Sequence, residues 1–192
     1  DVVIVNGENS AGGKGFTRKA LDELYAGGAD IVTSGNHVWD KKDVFAFIDE
    51  DPFLVRPANY PEGTPGQGYC IFPFKAVNIA VMNLSGRSFM PALDCPFQKA
   101  DNILAEIEGK ADIIVLDFHA ETTSEKLAMA HYMDGRVDIV VAYACADGGR
   151  ADPAGRNGVY HGSRHGRSTQ FYSWRAHGSG DPKVPYRDAR TV

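Results

Sequence analysis

The feature that most constrains the fold is a short apolar run that recurs along the first 141 residues and alternates with helical patterns. Runs such as VVIV, DIVT and DIIVL are rich in β-branched residues and end at glycine or polar residues. Strands buried on both faces have this composition. Because such strands alternate with helices, the sequence predicts an α/β domain with a largely parallel sheet and a hairpin insertion.

Individual elements can be predicted from the same periodicity and from capping residues. The predicted strands cover residues 2–5, 30–33, 69–74, 77–84, 111–119 and 137–143. The predicted helices cover residues 17–28, 40–51, 97–108 and 122–135. The two strands at 69–74 and 77–84 are separated by only Lys75 and Ala76, which is typical of a hairpin.

Charge and apolar residues are unevenly distributed between two parts of the chain. Residues 1–141 carry 12 Lys and Arg against 21 Asp and Glu, a net charge of −9. Residues 142–192 carry 8 against 4, a net charge of +4, and hold eight Gly and seven Arg but no Leu, Ile or Met. We therefore expect a folded domain over residues 1–141 and an aberrant, poorly ordered tail over residues 142–192.

Composition also bears on the compartment. No uncharged run approaches the roughly 18 residues that a membrane-spanning helix needs, which excludes a membrane protein. The three cysteines, Cys70, Cys95 and Cys145, form an odd set without a CxxC pair, which favours a reducing compartment and a cytoplasmic location. The chain begins at Asp1 rather than Met, and a predicted strand starts at once, so we expect a preceding segment.

Polar residues gather where the predicted buried strands end. The sequence passes from apolar run to polar residue in VIVNGEN, IVTSGNH and IVLDFHAE. In open α/β sheets, ligands bind beyond the carboxyl ends of the strands, and oxygen and imidazole groups suit a divalent metal that promotes hydrolysis. The alternative is that these residues only cap loops. The candidates are Glu8, Asn9, Asn36, His37, Asp117, His119 and Glu121.

Other motifs are weaker. The stretch NGENSAGGKG departs from a phosphate-binding loop, because Gly13 stands where that loop has Lys and Gly15 follows Lys14. No G-x-S-x-G elbow occurs for a serine hydrolase. Cys70 and Cys95 lie beside apolar or proline residues, which predicts packing rather than reactivity. His131 lies within a helical pattern and is predicted to be structural or on the surface.

Five blocks in order resemble one known family. The blocks are NGENSAGGKG, TSGNHVWDKK, RPANYPEGTPGQGY, NLSGRSFMPALDCPF and DFHAETTSEKLAMAHYMDGRV. They are similar to the bacterial YmdB-like branch of the calcineurin-type metallophosphoesterases, which are 2′,3′-cyclic-nucleotide 2′-phosphodiesterases. The resemblance spans residues 2–141 and implies a four-layer α/β/β/α sandwich, incomplete at both ends of this chain.

The resemblance also implies a site with two divalent metal ions, Fe, Mn or Mg. By matching position, Glu8 would bridge the two ions, Asn36 would bind the second ion and His119 would be a further ligand. His37 would act as general acid or orient the phosphate, and Asn9 would contact substrate. The implied substrates are phosphodiesters such as 2′,3′-cyclic nucleotides or RNA ends, with no membrane partner and with a homo-oligomer as one option.

Two features depart from the family. The family opens with a strand ending in a Gly-Asp motif, which would lie some 30 residues before Asp1, and it has a G-T-H-T-H block where this chain reads VVAYACADGG. By this count three of six expected protein ligands are present. We therefore expect weak or no phosphodiesterase activity from this chain.

A shift of reading frame would explain the second departure. When codons for the sequence from Ala142 onward are read one base forward, the permitted residues include HTHVQTADARILPDGTAYITDLGM, which restores the histidine pair. Agreement across some two dozen consecutive codons is hard to obtain by chance. The alternative is a natural divergent tail.

Two other functions remain open. A phosphoesterase scaffold without metal could serve as a regulatory module that binds a nucleotide or a protein. The tail could instead bind single-stranded RNA, since RNGVYHGSRHGRSTQFYSWR interleaves arginine with aromatic residues. Metal content separates the first alternative from an enzyme.

Overall fold

The structure is a computed structural model that describes residues 1–143, 158–161 and 171–173. It contains three α-helices, one 3-10 helix and nine strands in these residues. The helices are α1 (Arg18–Ala26), α2 (Pro96–Glu106) and α3 (Thr123–Met133), and the 3-10 helix is Lys42–Ala46. The strands are β1 (Ile4–Asn6), β2 (Ile31–Thr33), β3 (Leu54–Val55), β4 (Tyr69–Phe74), β5 (Val77–Ser85), β6 (Ile113–His119), β7 (Ile139–Tyr143), β8 (Gly158–His161) and β9 (Phe171–Ser173).

The strands form two sheets. In the first, β1, β2 and β3 lie in that order and all run parallel. The second has the order β4 to β9, with β5, β6 and β7 parallel and β4 antiparallel to β5. The predicted hairpin and the predicted parallel core are therefore both present. In the pairing of β5 with β6, Ser85 lies opposite His119 at the carboxyl ends of the two strands.

Three apolar clusters show how the sheets and helices are layered. One cluster, which includes Leu21, joins α1 and the 3-10 region to the first sheet. A second, which includes Ile31 and Val81, lies between the two sheets, and a third, which includes Ile103 and Met129, joins the second sheet to α2 and α3. The order of layers is thus helix, sheet, sheet, helix, which confirms the predicted α/β sandwich.

Local capping explains where α1 and α3 begin. The Thr17 hydroxyl accepts a hydrogen bond from the Ala20 backbone N–H at 3.2 Å. The Thr122 hydroxyl accepts from the Glu125 backbone N–H at 3.4 Å. Each cap satisfies a donor that has no partner within the first turn of a helix.

The helix predicted over residues 40–51 is wrong, because only a 3-10 helix at Lys42–Ala46 forms there. Aspartate side chains bind backbone groups at the end of this segment. Asp49 Oδ1 accepts from the Gly66 N–H at 2.6 Å, and Asp51 Oδ1 accepts from the Phe53 N–H at 2.9 Å. Such bonds offer the chain an alternative to helix.

The structure adds two strands that the sequence did not predict. β8 pairs antiparallel with β7, and β9 pairs antiparallel with β8, at one edge of the second sheet. The other residues of the tail, about which the sequence predicts poor order, lie outside the described residues. In the part of the chain that the structure describes, no helix is long and apolar enough to cross a membrane.

Candidate active site

The site forms where strands of the two sheets end side by side. Glu8 and Asn36 lie in the loops that follow the parallel strands β1 and β2, so they share one edge of the first sheet. His119 is the last residue of β6 in the second sheet. His119 Nε2 lies 3.3 Å from Glu8 Oε1, so the carboxyl ends of both sheets meet at this pair.

Three atoms that could bind a metal ion lie close together at this edge. His119 Nε2 lies 2.7 Å from Asn36 Oδ1 as well as close to the Glu8 carboxylate. Two oxygen acceptors therefore face one ring nitrogen, so a proton on Nε2 occupies the point between them. A cation bound here in place of that proton would find two oxygens and one imidazole nitrogen, which is a ligand set typical of Mn, Fe or Zn.

The Glu8 carboxylate is only 1% exposed and lies in a negative environment. The pKa of Glu8 is raised to about 7, mainly by burial and in smaller part by the nearby carboxylates of Asp117 and Glu121. The His37 backbone N–H, which donates to Glu8 Oε1 at 3.1 Å, lowers this pKa in part. A buried carboxylate surrounded by further negative charge is stabilised by a bound cation.

Gly35 lets the Glu8 carboxylate lie against the backbone. A Cβ atom at position 35 would lie 2.5 Å from Glu8 Cδ and 2.6 Å from Glu8 Oε1. Side-chain atoms do not approach this closely, so any larger residue would displace the carboxylate. The glycine of the sequence block SGNH is therefore required by close approach.

His119 is completely buried and neutral. The pKa of His119 is lowered to about 3, mainly by burial and in smaller part by electrostatic interaction with His37 and Lys126. The imidazole is therefore uncharged at neutral pH. A neutral ring is the form that can bind a metal ion.

His37 is oriented by a neighbouring carboxylate. Its Nδ1 lies 2.9 Å from Asp40 Oδ2, three residues further along the same loop. This contact directs Nε2 of the ring away from Asp40. With a side chain that is 19% exposed, His37 remains accessible to a substrate, unlike His119.

The residues named from the sequence are only partly brought together. Glu8, Asn36, His37 and His119 cluster through the contacts above, and Asp117 and Glu121 act on Glu8 through their charge. Asn9 is exposed, and its carbonyl accepts from the Gly13 N–H at 3.2 Å. Within the residues the structure describes, no group of three or more His, Cys, Asp or Glu side chains is placed to hold a metal ion. The Glu8, Asn36 and His119 set is thus a partial one.

Sequence reasoning missed residues that support the site. Asp40 could have been found from its i+3 spacing after His37. Asn59 could not, because it acts across the fold: its Nδ2 donates to the Ser85 carbonyl at 2.8 Å, and its Oδ1 accepts from the Ser85 N–H at 2.8 Å. Tyr60, beside Asn59, packs edge to face on Trp39 with ring centroids 5.7 Å apart. Burial raises the pKa of Tyr60, and the charge of Glu8 adds to this increase.

Comparisons with known proteins agree on one group of relatives. A family model described as YmdB-like protein matches residues 1–144. A 2′,3′-cyclic-nucleotide 2′-phosphodiesterase of Bacillus subtilis is 55% identical over 138 residues, which make up 72% of this chain and 52% of that protein. The chain spans about half the length of the curated relatives it matches.

Solved structures give a similar picture. The crystal structure of a hypothetical protein from Thermus thermophilus superposes with a TM-score of 0.73 at 35% identity, covering 92% of this chain and 78% of that one. The crystal structure of a phosphatase from Mycoplasma pneumoniae superposes with a TM-score of 0.66 at 37% identity, covering 71% of this chain and 50% of that one.

Proposed function

Because the chain belongs to the YmdB-like family, we propose that it carries part of the active site of a metal-dependent phosphodiesterase. Its membership confirms the resemblance carried by the five sequence blocks. The proposed substrates are 2′,3′-cyclic nucleotides and related phosphate esters, in line with the name of the Bacillus subtilis relative. The convergence of Glu8, Asn36 and His119 is the observation that carries this proposal.

Glu8, Asn36 and His119 would hold divalent metal in this proposal, with Glu8 shared between two ions of Fe, Mn or Mg. Divalent cations held there would neutralise phosphate oxygens and activate water for in-line attack. The residues themselves supply the donor atoms, the neutral imidazole and a carboxylate that is already desolvated. Gly35 and the His37 N–H fix the position of that carboxylate.

His37 is proposed to transfer a proton to the leaving oxygen. In the doubly protonated ring, Nδ1–H donates to Asp40 and Nε2–H is left to donate its proton to the leaving oxygen. An imidazole held in one orientation by a carboxylate is a common arrangement for a general acid. Asn9, which is exposed in the loop beside Glu8, is proposed to contact the substrate.

A metal-free binding module is the second candidate function. It is favoured by the small number of donors: the described residues supply Glu8, Asn36 and His119 and no third His, Cys, Asp or Glu ligand. In that case the same crevice would bind a nucleotide or a protein segment without hydrolysing it.

Metal content distinguishes the two candidates. The full chain, dialysed against Mn²⁺ and then freed of loose ions, is expected to retain Mn²⁺ in elemental analysis. Glu8→Gln and His119→Ala should each lower retention at least about tenfold, as expected when a ligand is lost. His37→Ala serves as the matched control and should retain Mn²⁺ fully. Equal retention by all four proteins, or none by the unaltered chain, would contradict the proposed metal site.

We further propose a cytoplasmic location. Cys70 is buried and Cys95 is half-buried, and neither forms a disulfide. Unpaired thiols are typical of a reducing compartment.

We also propose that residues 1–141 form the metallophosphoesterase-like domain and that residues 142–192 are read out of frame. The family match ends at residue 144, which supports a boundary close to Ala142. The histidine pair that appears when codons from Ala142 onward are read one base forward supports the same position.

A further inference from the structure

The loop that follows β5, residues 86–94, begins beside the candidate active site. Ser85 lies opposite His119 in the sheet, and the Gly86 N–H donates to the His119 carbonyl at 2.7 Å. The first residue of the loop is therefore hydrogen-bonded to one of the three proposed metal ligands. The exposed side chains of this loop therefore lie close to the position proposed for a bound phosphate ester.

A carboxylate of α3 fixes the start of this loop. Glu125 accepts hydrogen bonds from the Arg87 N–H at 2.9 Å and from the Ser88 N–H at 3.3 Å. Gly86 allows this close approach, since a Cβ there would collide with the Glu125 carboxylate and lie 2.7 Å from Ala120 Cβ.

A buried amide fixes the other end. The Asn59 carbonyl accepts from the Asp94 N–H at 3.0 Å, and Asn59 Nδ2 donates to the Asp94 carbonyl at 3.0 Å. The same amide group also binds Ser85. Both ends of the loop are thus attached to the carboxyl end of β5.

Phe89 projects from this doubly attached loop into solvent. Its side chain is 92% exposed, whereas the next most exposed large apolar side chain in the described residues, Phe45, is 53% exposed. Its φ is +60°, a left-handed conformation that costs free energy for a residue with a Cβ atom. Neither packing nor backbone preference accounts for an aromatic ring held in this position.

We propose that Phe89 stacks on the base of the nucleotide whose phosphate ester binds at Glu8, Asn36 and His119. This inference rests on the proposed function. Three residues span at most about 11 Å, so Phe89 remains within reach of a ligand bound beside Gly86. Aromatic rings bind any base through its π face, so the loop favours nucleotides over phosphodiesters that lack a base.

A nucleobase suits this loop better than a protein partner. A specific protein interface buries about 800 Å² on each side and has a continuous apolar centre. The loop offers a single aromatic ring, and in the apolar stretch 90–93 that follows it only Pro91 and Ala92 are exposed, which is far less surface than such an interface needs. One ring beside a phosphate site matches one base.

Binding of two ligands that differ only in the base tests the proposal. The ligands are adenosine 2′,3′-cyclic phosphate and methyl riboside 2,3-cyclic phosphate, titrated calorimetrically into the full chain with Mn²⁺. Phe89→Ala should weaken binding of the adenosine ligand roughly 5- to 100-fold, the range expected for the loss of one base stack. Binding of the methyl riboside should not change, and Phe89→Tyr should restore the adenosine affinity.

Tyr132→Ala is the matched control, because Tyr132 is an exposed aromatic residue near the other end of α3. It should leave both affinities unchanged. Equal effects of Phe89→Ala on both ligands, or no effect on either, would overturn the stacking role while leaving the proposed function in place. A change of sedimentation coefficient in Phe89→Ala would overturn it in favour of contact between two copies of the chain. Failure of the unaltered chain to bind either ligand would overturn the proposed function as well.

Discussion

At the scale of single residues, the site contains ionisable side chains whose burial disfavours their charged forms. Burial raises the pKa of Glu8 to about 7 and lowers the pKa of His119 to about 3. At neutral pH the Glu8 shift costs stability, because the carboxylate is charged in the unfolded chain, whereas the His119 shift costs stability only below the usual histidine pKa. A bound divalent cation would offset that cost.

Gly35→Ala is expected to weaken Mn²⁺ binding at least about tenfold, because the new methyl group would displace the Glu8 carboxylate and a misplaced ligand has this typical effect. Isothermal titration measures the change. Gly27→Ala is the matched control, since Gly27 caps α1 with a φ of −74° that alanine adopts readily. Normal Mn²⁺ binding by Gly35→Ala would show that the carboxylate tolerates displacement.

Cys70 and Cys95 should differ in reactivity. Burial raises the pKa of the Cys70 thiol to about 12, so almost none of it is thiolate at neutral pH. Cys95 is half-buried at the start of α2. After brief treatment of the native protein with iodoacetamide, peptide mass spectrometry should find Cys95 alkylated and Cys70 unmodified. Faster alkylation of Cys70 would mean that the region around β4 opens readily.

At the scale of elements, the loops that build the site are positioned by contacts between distant segments. Glu125 of α3 binds the backbone 38 and 37 residues earlier in the chain, and Asn59 binds Ser85 and Asp94 26 and 35 residues later. Such contacts leave no local pattern, so the sequence predicts the strands and helices but not these attachments. The same limit applies at the 3-10 helix Lys42–Ala46, where Asp49 binds the backbone N–H of Gly66 17 residues later, although the contact of Asp51 with Phe53 is local.

Asn59→Ala should lower the free energy of unfolding by about 2–4 kcal/mol, because it leaves the buried N–H and carbonyl of Ser85 without a partner and removes a part-buried bond to the Asp94 carbonyl. Urea denaturation followed by circular dichroism measures the loss. Asn78→Ala is the control, since Asn78 is exposed on β5, and it should change stability by less than about 0.5 kcal/mol. Equal effects of the two substitutions would argue against the anchoring role of Asn59.

At the scale of the whole molecule, the sequence predicts the fold class and much of the site. Buried apolar runs separated by capped helices predict the α/β sandwich, and polar residues at strand ends predict the cluster of Glu8, Asn36, His37 and His119. The sequence did not predict β8 and β9, because strands of only four and three residues are too short to show a periodic pattern. The proposed change of reading frame near Ala142 remains a prediction for the tail.

Sequencing the coding DNA tests the reading frame. We expect independent reads across codons 135–192 to show a base change near Ala142 that restores a histidine pair. The protein made from the restored frame should hydrolyse 2′,3′-cyclic nucleotides much faster than this chain. In that protein His37→Ala should lower turnover by about two to four orders of magnitude, as loss of a general acid does. An intact single frame, with peptides such as STQFYSWR found in the native protein, would contradict this prediction.

Glu8, Asn36 and His119 are proposed to bind a divalent cation together. Paramagnetic Mn²⁺ broadens the NMR signals of nearby nuclei, so adding it in small amounts to the isotope-labelled full chain locates the ion directly. We predict that the amide signals of residues 8–9, 35–37 and 119–121 broaden first, and that Glu8→Gln abolishes this effect. Broadening confined to exposed acidic residues elsewhere, such as Asp22 and Glu23 on α1, would show that these three residues do not form a metal site.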